Sequence, residues 1–331
     1  MPVNNNNMAI YFADPEYLEG FMNYMTDRNS GFICSGFTRG DNLTDFAEKN
    51  NISVLLTDDI CFQNGARNIK SEITIVLTEK PGSVSSEKVY EINILQPVDE
   101  IVRDILKTAA KSDVSVADRP YLSSAAVYSF FSPVGRSLKT TLAVAASQIM
   151  SDKEKTIYIN LEPDSGFTIL FGQEFSSDLS DLIFFLQGNT GNKVSLILQS
   201  SICTCQGISF IPPVMNPEDL FHITSDDILT LLDLLQRNGF KNIVIDIGYF
   251  IPGFEKILDS STKIYMPVRK DRISSSKIAQ FYSFLRTLDD LSIEDNLTQL
   301  DPPYFKDIPP ITCNLRGTEI GKYITGILNE R

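Results

Sequence analysis

The stretch YSFFSPVGRSLKTTLAVAAS, residues 128–147, decides how the chain is read. An apolar strand-like run ends at Phe131, a short loop follows, and a helical pattern begins near Lys139. Phosphate-binding loops occupy this setting. Backbone N–H groups and the positive end of the following helix face an anion. A lysine reaches the outer phosphates, and the next hydroxyl ligates Mg²⁺. Lys139 and Thr140 stand in those two places.

Working outward, the loop resembles that of the MinD/ParA superfamily of P-loop ATPases, which runs KGGxGKT. Aligned on Lys139, Gly135 matches the first glycine of the pair, and Val134 stands where the superfamily has its signature lysine. Arg136 and Leu138 replace two further glycines. Glycine serves there because the chain takes positive φ or approaches a phosphate closely. A leucine holding such a geometry costs about 1–3 kcal/mol. Losing the signature lysine removes the cation that, in the superfamily, reaches the partner's nucleotide.

Later segments resemble the same superfamily in order. TIYINLEPDSG, from Thr156, resembles its second motif, with Asn160 at the position of the catalytic acid and Glu162 two residues on. An amide cannot act as a carboxylate base, so weak water activation is expected. KNIVIDIG resembles the Walker B strand, ending at Asp246. YMPVRKDRISSSKIAQF resembles the strand and helix whose loop lies near the base, and NLRGTEIGKYITGIL resembles the closing helix. The resemblance spans residues 125–331. It implies an ATP–Mg²⁺ site in which Gly135, Arg136 and Glu162 line the nucleotide. Lys139 would contact the phosphates, Thr141 the α-phosphate and Thr140 the metal, with Asp246 in the metal's outer shell. It also implies a homodimer, and ATP against GTP stays open.

Residues 1–110 alternate strand-like and helix-like runs: MAIYFAD, PEYLEGFMNYMTDR, GFICSGF, LTDFAEKN, ISVLLTDD, ITIVLTE, KVYEINIL and VDEIVRDILKTAAK. This alternation predicts a parallel sheet covered on both sides. The order resembles a response-regulator receiver domain, a flavodoxin-like five-stranded fold. Phosphotransfer there needs clustered acids for Mg²⁺, an acceptor Asp, a Thr or Ser and a Lys. Here Asp14 lies beside Ala13, Asp58 or Asp59 offers the acceptor, and Thr78 follows the fourth strand. Gln96 precedes Pro97 where the family has Lys–Pro. One acid and the ammonium are missing, so the site is expected to be inactive, with Asp58 and Asp59 as turn or cap residues and the domain as a docking module. Residues 111–124, rich in Ser, Asp and Pro, read as the joint. The expected organisation is therefore a degenerate receiver-like domain over 1–110, a linker over 111–124, and an α/β domain with a mostly parallel sheet over 125–331.

Composition bounds the function. The chain has 331 residues, 43% hydrophobic and 21% charged, as in folded proteins, and its length predicts two domains. The net charge of −13 argues against nucleic acid as a general partner and against broad adhesion to anionic lipid. His222 is the single histidine, which excludes a His-rich metal site. No apolar run reaches the roughly 18 residues of a membrane span, so no stable insertion is expected. MPVNNNN reads as a frayed polar tail without signal-peptide character. Five scattered cysteines read as reduced thiols of a cytoplasmic protein.

A receiver-like domain ahead of a degenerate MinD/ParA-like domain resembles the CpaE/TadZ group of Tad/Flp pilus-assembly proteins. YINLEPD and LSDLIFFL also look like that group. The resemblance implies an ATP-binding, weakly or non-hydrolysing localisation factor that recruits pilus or secretion machinery at the inner face of the membrane or a cell pole. The alternatives are a nucleotide-free scaffold, with Leu138 closing the pocket, and a working ATPase in which Arg136 substitutes for the missing lysine.

Other features take ordinary readings. Ile320, Tyr323, Ile324, Ile327 and Leu328 form a stripe expected to pack on its own domain. The pairs Phe130–Phe131 and Phe184–Phe185 are expected in the core, His222 at the surface, SLILQS as a strand, and residues 289–305 as a solvated loop.

Overall fold

Hydrophobic runs of five or six residues, set between helices with one apolar face, build two parallel sheets. The coordinates are a computed structural model, which describes residues 6–28, 31–82, 88–112, 114, 124–188, 193–288 and 292–329. The chain divides into two units, residues 1–119 with 189–201, and residues 120–188 with 202–331.

The first unit begins with β1 (Asn7–Tyr11), α1 (Pro15–Arg28), β2 (Ile33–Phe37), α2 (Gly40–Lys49) and β3 (Val54–Asp58). It continues through α3 (Asp59–Gln63), β4 (Ile73–Thr78), β5 (Val89–Asn93) and α4 (Val98–Lys111). Its strand order is β2-β1-β3-β4-β5, with every pairing parallel. That is the flavodoxin-like doubly wound order. Strand alternation sends Met8 and Ile10 to one core with Val54 and Leu56, and Ala9 and Tyr11 to the other with Leu55. The sheet is thereby buried on both faces, as parallel strands require.

The second unit runs β6 (Ala126–Phe131), α5 (Lys139–Ser151), β7 (Thr156–Leu161), α6 (Phe167–Phe171) and α7 (Leu179–Gln187). After α8 (Val194–Ser201), which belongs to the first unit, come β8 (Cys203–Cys205), β9 (Ile208–Ile211), α9 (Ser225–Arg237) and β10 (Asn242–Ile247). The unit closes with α10 (Phe254–Asp259), β11 (Lys263–Pro267), α11 (Arg272–Leu285), α12 (Ile293–Asn296), β12 (Leu297–Leu300) and α13 (Glu319–Asn329). Its sheet has the order β12-β11-β6-β10-β7-β9-β8, parallel except for β8 against β9. Phe130 faces Tyr265 across a ring distance of 5.2 Å, and Phe131 faces Phe281 at 4.8 Å on the opposite side. Ile320 and Ile324 of α13 are buried in the core that α5 also fills, so the terminal stripe packs on its own unit as expected. No helix among the described residues is long and apolar enough to cross a membrane.

Four expectations change. SLILQS forms helix α8, and Leu196 packs into the core of the first unit. A six-residue apolar run has no periodicity that separates a buried helix from a buried strand. Residues 292–305 are not a solvated loop: they hold α12 and the edge strand β12, with Ile293, Leu300 and Phe305 buried. Phe184 and Phe185 are 73% and 45% exposed, because α7 turns Leu182 and Ile183 inward instead. The polar start is ordered where it is described: Asn7 begins β1, and its amide donates to Asn51 O at 3.0 Å. Residues 1–5, 289–291 and most of the joint (113 and 115–123) lie outside the described residues.

Candidate functional site

The carboxyl end of β6, in the middle of its sheet, opens into residues 132–138 before α5 begins at Lys139. Ser132 ties the loop down: its hydroxyl donates to Pro267 O at 2.6 Å and accepts from Val134 N at 3.1 Å. Arg136 has φ of 56° and Leu138 of 66°, two of the three positive-φ residues other than glycine among the described residues. They occupy the positions at which the motif that the loop resembles has glycines. The loop therefore keeps the glycine geometry without the glycines, and Leu138 enters α5 from the left-handed region with no side-chain cap. Val134 is buried, so it offers nothing outward in place of a lysine.

Strand register assembles the rest. Asp246 of β10 lies beside Phe130 on one neighbour and Asn160 on the other. Its carboxylate is fully buried and pairs with Lys139 Nζ at 2.6 Å. Lys139 also pairs with Glu162 and donates to Ile247 O at 2.7 Å. Burial pushes the Lys139 pKa down, but Asp246 and then Glu162 outweigh it, and it stands above the ordinary lysine value.

Behind the ion pair, Tyr158 donates to Asp246 Oδ2 at 3.3 Å, and Asn160 Nδ2 donates to the Tyr158 hydroxyl at 3.0 Å. Burial, then the Asp246 charge, holds the phenol well above its usual pKa, so it remains a donor. Asn160 Oδ1 accepts from Glu162 N at 2.9 Å and fixes where Glu162 starts. Gly248 leaves room for the Glu162 carboxylate: a Cβ there would fall 2.9 Å from Glu162 Oε2, and the carboxylate would have to move.

Gly135, Arg136, Lys139, Thr140, Thr141 and Glu162 all line one cavity of about 990 Å³, and Asp246 contacts it through Lys139. Every singled-out residue of this unit thus meets at one place, with Asn160 one hydrogen-bond layer behind. The cavity also takes Arg269 and Lys270 from the loop after β11, and Pro302, Pro303 and Tyr304 after β12. Lys270 pairs with Asp301 on the rim. The motif search missed Tyr304 and its neighbours because loop residues carry no periodicity; the adjacent basic pair in VRKD was the available signal. Ser137 was missed too. It lines the cavity at 4% exposure, and its hydroxyl has no partner.

The donor set fits a phosphate ester. It combines loop amides in glycine-like geometry, an unpartnered buried hydroxyl, the Thr140 and Thr141 hydroxyls, and the cations Lys139, Arg136 and Arg269. Glu162 is the discordant member, since its carboxylate occupies the face of Lys139 that an anion needs.

In the first unit the acids do other work. Asp58 Oδ1 accepts from Cys61 N at 2.7 Å as the cap of α3, and Oδ2 accepts from Ala13 N at 2.8 Å. Asp14 accepts from Glu16 N at 2.8 Å and Tyr17 N at 3.2 Å at the start of α1. No group of three or more His, Cys, Asp or Glu side chains among the described residues is arranged to hold a metal.

No family model matches the chain, and no curated protein matches it in sequence. Among solved structures it is similar to a plasmid partition protein from Borrelia burgdorferi bound to AMPPNP, at 15% identity and a TM-score of 0.43, covering 63% of this chain and 84% of that one. It is similar to a ParA family ATPase from Chlorobium tepidum at 15% identity and TM-score 0.44, covering 61% and 82%. It is also similar to a cobyrinic acid a,c-diamide synthase from Mycobacterium smegmatis with bound ATP analogue and magnesium, at 12% identity and TM-score 0.40, covering 62% and 83%. Likeness at this level is distant, and the strand order and loop geometry carry the assignment of the α/β architecture.

Proposed function

We propose that the second unit binds ATP–Mg²⁺ and hydrolyses it weakly or not at all, and that the protein acts as a localisation or assembly factor. The observation that carries the reading is the loop: positive φ at Arg136 and Leu138 leads directly into Lys139, which faces Asp246 on the adjacent strand. Loop amides, Lys139 and Arg136 would hold the phosphates; Thr140 would hold the metal, with Asp246 in its outer shell. When bound, Mg²⁺ supplies charge neutralisation on the phosphates. Asn160 supplies no proton acceptor at the position where the superfamily has an acid, which supports slow turnover. The homodimer that the resemblance implies would lack the cross-subunit lysine, since Val134 stands at that position and is buried.

The first unit is read as a receiver-like docking module, because Asp14 and Asp58 are committed to backbone amides. The pairing of the two units supports a CpaE/TadZ-type role in a Tad/Flp pilus or secretion system, as a cytoplasmic protein recruited to the membrane's inner face or a pole.

A second reading, a nucleotide-free scaffold, is favoured by one observation: Lys139 is already neutralised by Asp246 and Glu162. Equilibrium titration with ATP, with and without Mg²⁺, separates the two. The ATP-binding reading expects measurable affinity that falls about 100-fold or more in Lys139→Ala, a loss of about 2.7 kcal/mol. An absence of binding in the wild type favours the scaffold, and brisk turnover abolished in Lys139→Ala favours the working ATPase.

A further inference from the structure

The second unit carries an apolar surface that its nucleotide site does not use. Phe184 and Phe185 of α7, Met215, Phe221, Tyr249 and Phe250 are 41–73% exposed. They include two ring pairs. Phe221 and Phe250 lie 5.7 Å apart between ring centres, and Phe184 lies 6.2 Å from Phe185. Between Phe184 and His222 opens a cavity of about 260 Å³, lined also by Ile183, Ile223, Asp181 and Asp219. Aromatic residues and Met are the types enriched at the centres of protein interfaces, and exposed apolar patches mark them.

The patch is preformed. Asp178 is buried and ties both of its sides together, accepting from Ser180 N at 2.8 Å within α7 and from Met215 N at 2.8 Å across the gap. Leu179 N adds a bond to Pro212 O at 2.9 Å. Little ordering is therefore left to be lost on binding.

Charge selects the occupant. From Thr156 to Gln236 the sequence holds ten Asp and Glu residues and a single Lys or Arg, Lys193. Asp181 and Asp219 line the cavity itself. Lys256 of α10 is already paired with Asp226 at 3.3 Å. A second copy docking through the same face would set these acids against one another, and an anionic membrane would be repelled. We infer that this face is a docking surface for a cationic, amphipathic helical segment of a partner protein. Its apolar side chains would seat between Phe184 and Phe221, and its Lys or Arg residues would face Asp181, Glu218 and Asp219.

The test uses the full chain and a labelled synthetic helix of Leu and Lys, with its Leu and Glu counterpart as the control, followed by fluorescence anisotropy. The Leu/Lys peptide should bind, and the Leu/Glu peptide should not. Phe184→Ser with Phe221→Ser should weaken binding about 10-fold or more. Glu218→Lys with Asp219→Lys should weaken it by about as much. Asp41→Lys with Asp45→Lys on α2, an equal change of net charge at none of the residues of this face, tests whether overall charge alone draws the peptide, and should leave affinity within about twofold. All replaced side chains are exposed or half-exposed, and circular dichroism checks that each variant folds. The inference is overturned if the Leu/Lys peptide does not bind, or if the α2 variant weakens binding as much as the patch variants. It is also overturned if sedimentation shows a wild-type dimer that the Phe184/Phe221 variant dissociates.

Discussion

Both units end their parallel strands in the same kind of place, yet they use their acids in opposite ways. In the first unit, Asp14 after β1 and Asp58 at the end of β3 sit where the strand order reverses, the position at which open α/β sheets bind ligands. Both carboxylates accept backbone amides, Asp58 through both oxygens and Asp14 through Oδ1. In the second unit, Asp246 at the end of β10 holds a lysine instead, and that lysine borders a cavity of about 990 Å³. A cap stabilises only the helix it terminates. A buried ion pair facing a cavity can be reorganised by a ligand. The comparison teaches that the first unit ties its switch-point acids to its own backbone, while the second pairs its buried acid with a lysine at the edge of a cavity.

The largest expected effect breaks the second unit's side of the contrast. Asp246→Ala leaves Lys139 buried with Glu162 alone, and should cost about 3 kcal/mol in urea unfolding. The pH dependence has a definite sign. Because the Lys139 pKa is raised on folding, the pair's contribution is fully present below the ordinary lysine value of about 10.4 and is lost as pH rises through the higher folded value. The difference between wild type and Asp246→Ala should thus hold constant through neutral pH and shrink only in strong alkali.

Next in size is Glu162→Gln, which removes the carboxylate that competes with phosphate for Lys139. ATP affinity should rise about 10-fold, or about 1.4 kcal/mol, in the same titration that tests Lys139→Ala. A fall in affinity would make Glu162 a ligand contact rather than a competitor. The next sharpens the first unit's side. Asp58→Ala should cost about 1 kcal/mol as a lost cap and leave ATP affinity unchanged. Acetyl phosphate should not label Asp58 or Asp59; stable labelling at either would revive phosphotransfer. The smallest effect is that of Leu138→Gly. It should relieve about 1 kcal/mol of left-handed strain but lose the packing of Leu138 on the core, so stability in urea should change by less than about 1 kcal/mol.

The alternation of strands and helices was legible in the sequence because parallel strands are short, apolar and bounded by helical periodicity. So was the meeting of Lys139, Glu162 and Asp246, since each stands at the end of a strand or the start of the helix after it. Less legible were elements whose signal is local. SLILQS is apolar on every side, and its helical state follows from where Leu196 is buried. The strand β12 lies in an acidic, proline-flanked stretch that resembles a loop until β11 pairs with it. Phe184 and Phe185 follow Leu182 and Ile183 in one apolar run, and only the placement of α7 decides which pair faces out. The positive φ of Arg136 is not a preference of arginine, and only the position's match to a motif glycine points to it.

The central claim is that the amides between Gly135 and Thr141 cradle a polyanion. Hydrogen–deuterium exchange of the full chain, with and without ATP–Mg²⁺, tests it at those atoms. The account predicts slowed exchange across residues 135–141 and unchanged exchange at residues 13–17 and 58–61, where the first unit's acids already hold the amides. Unchanged exchange at 135–141 in saturating nucleotide would contradict it, as would protection confined to the first unit.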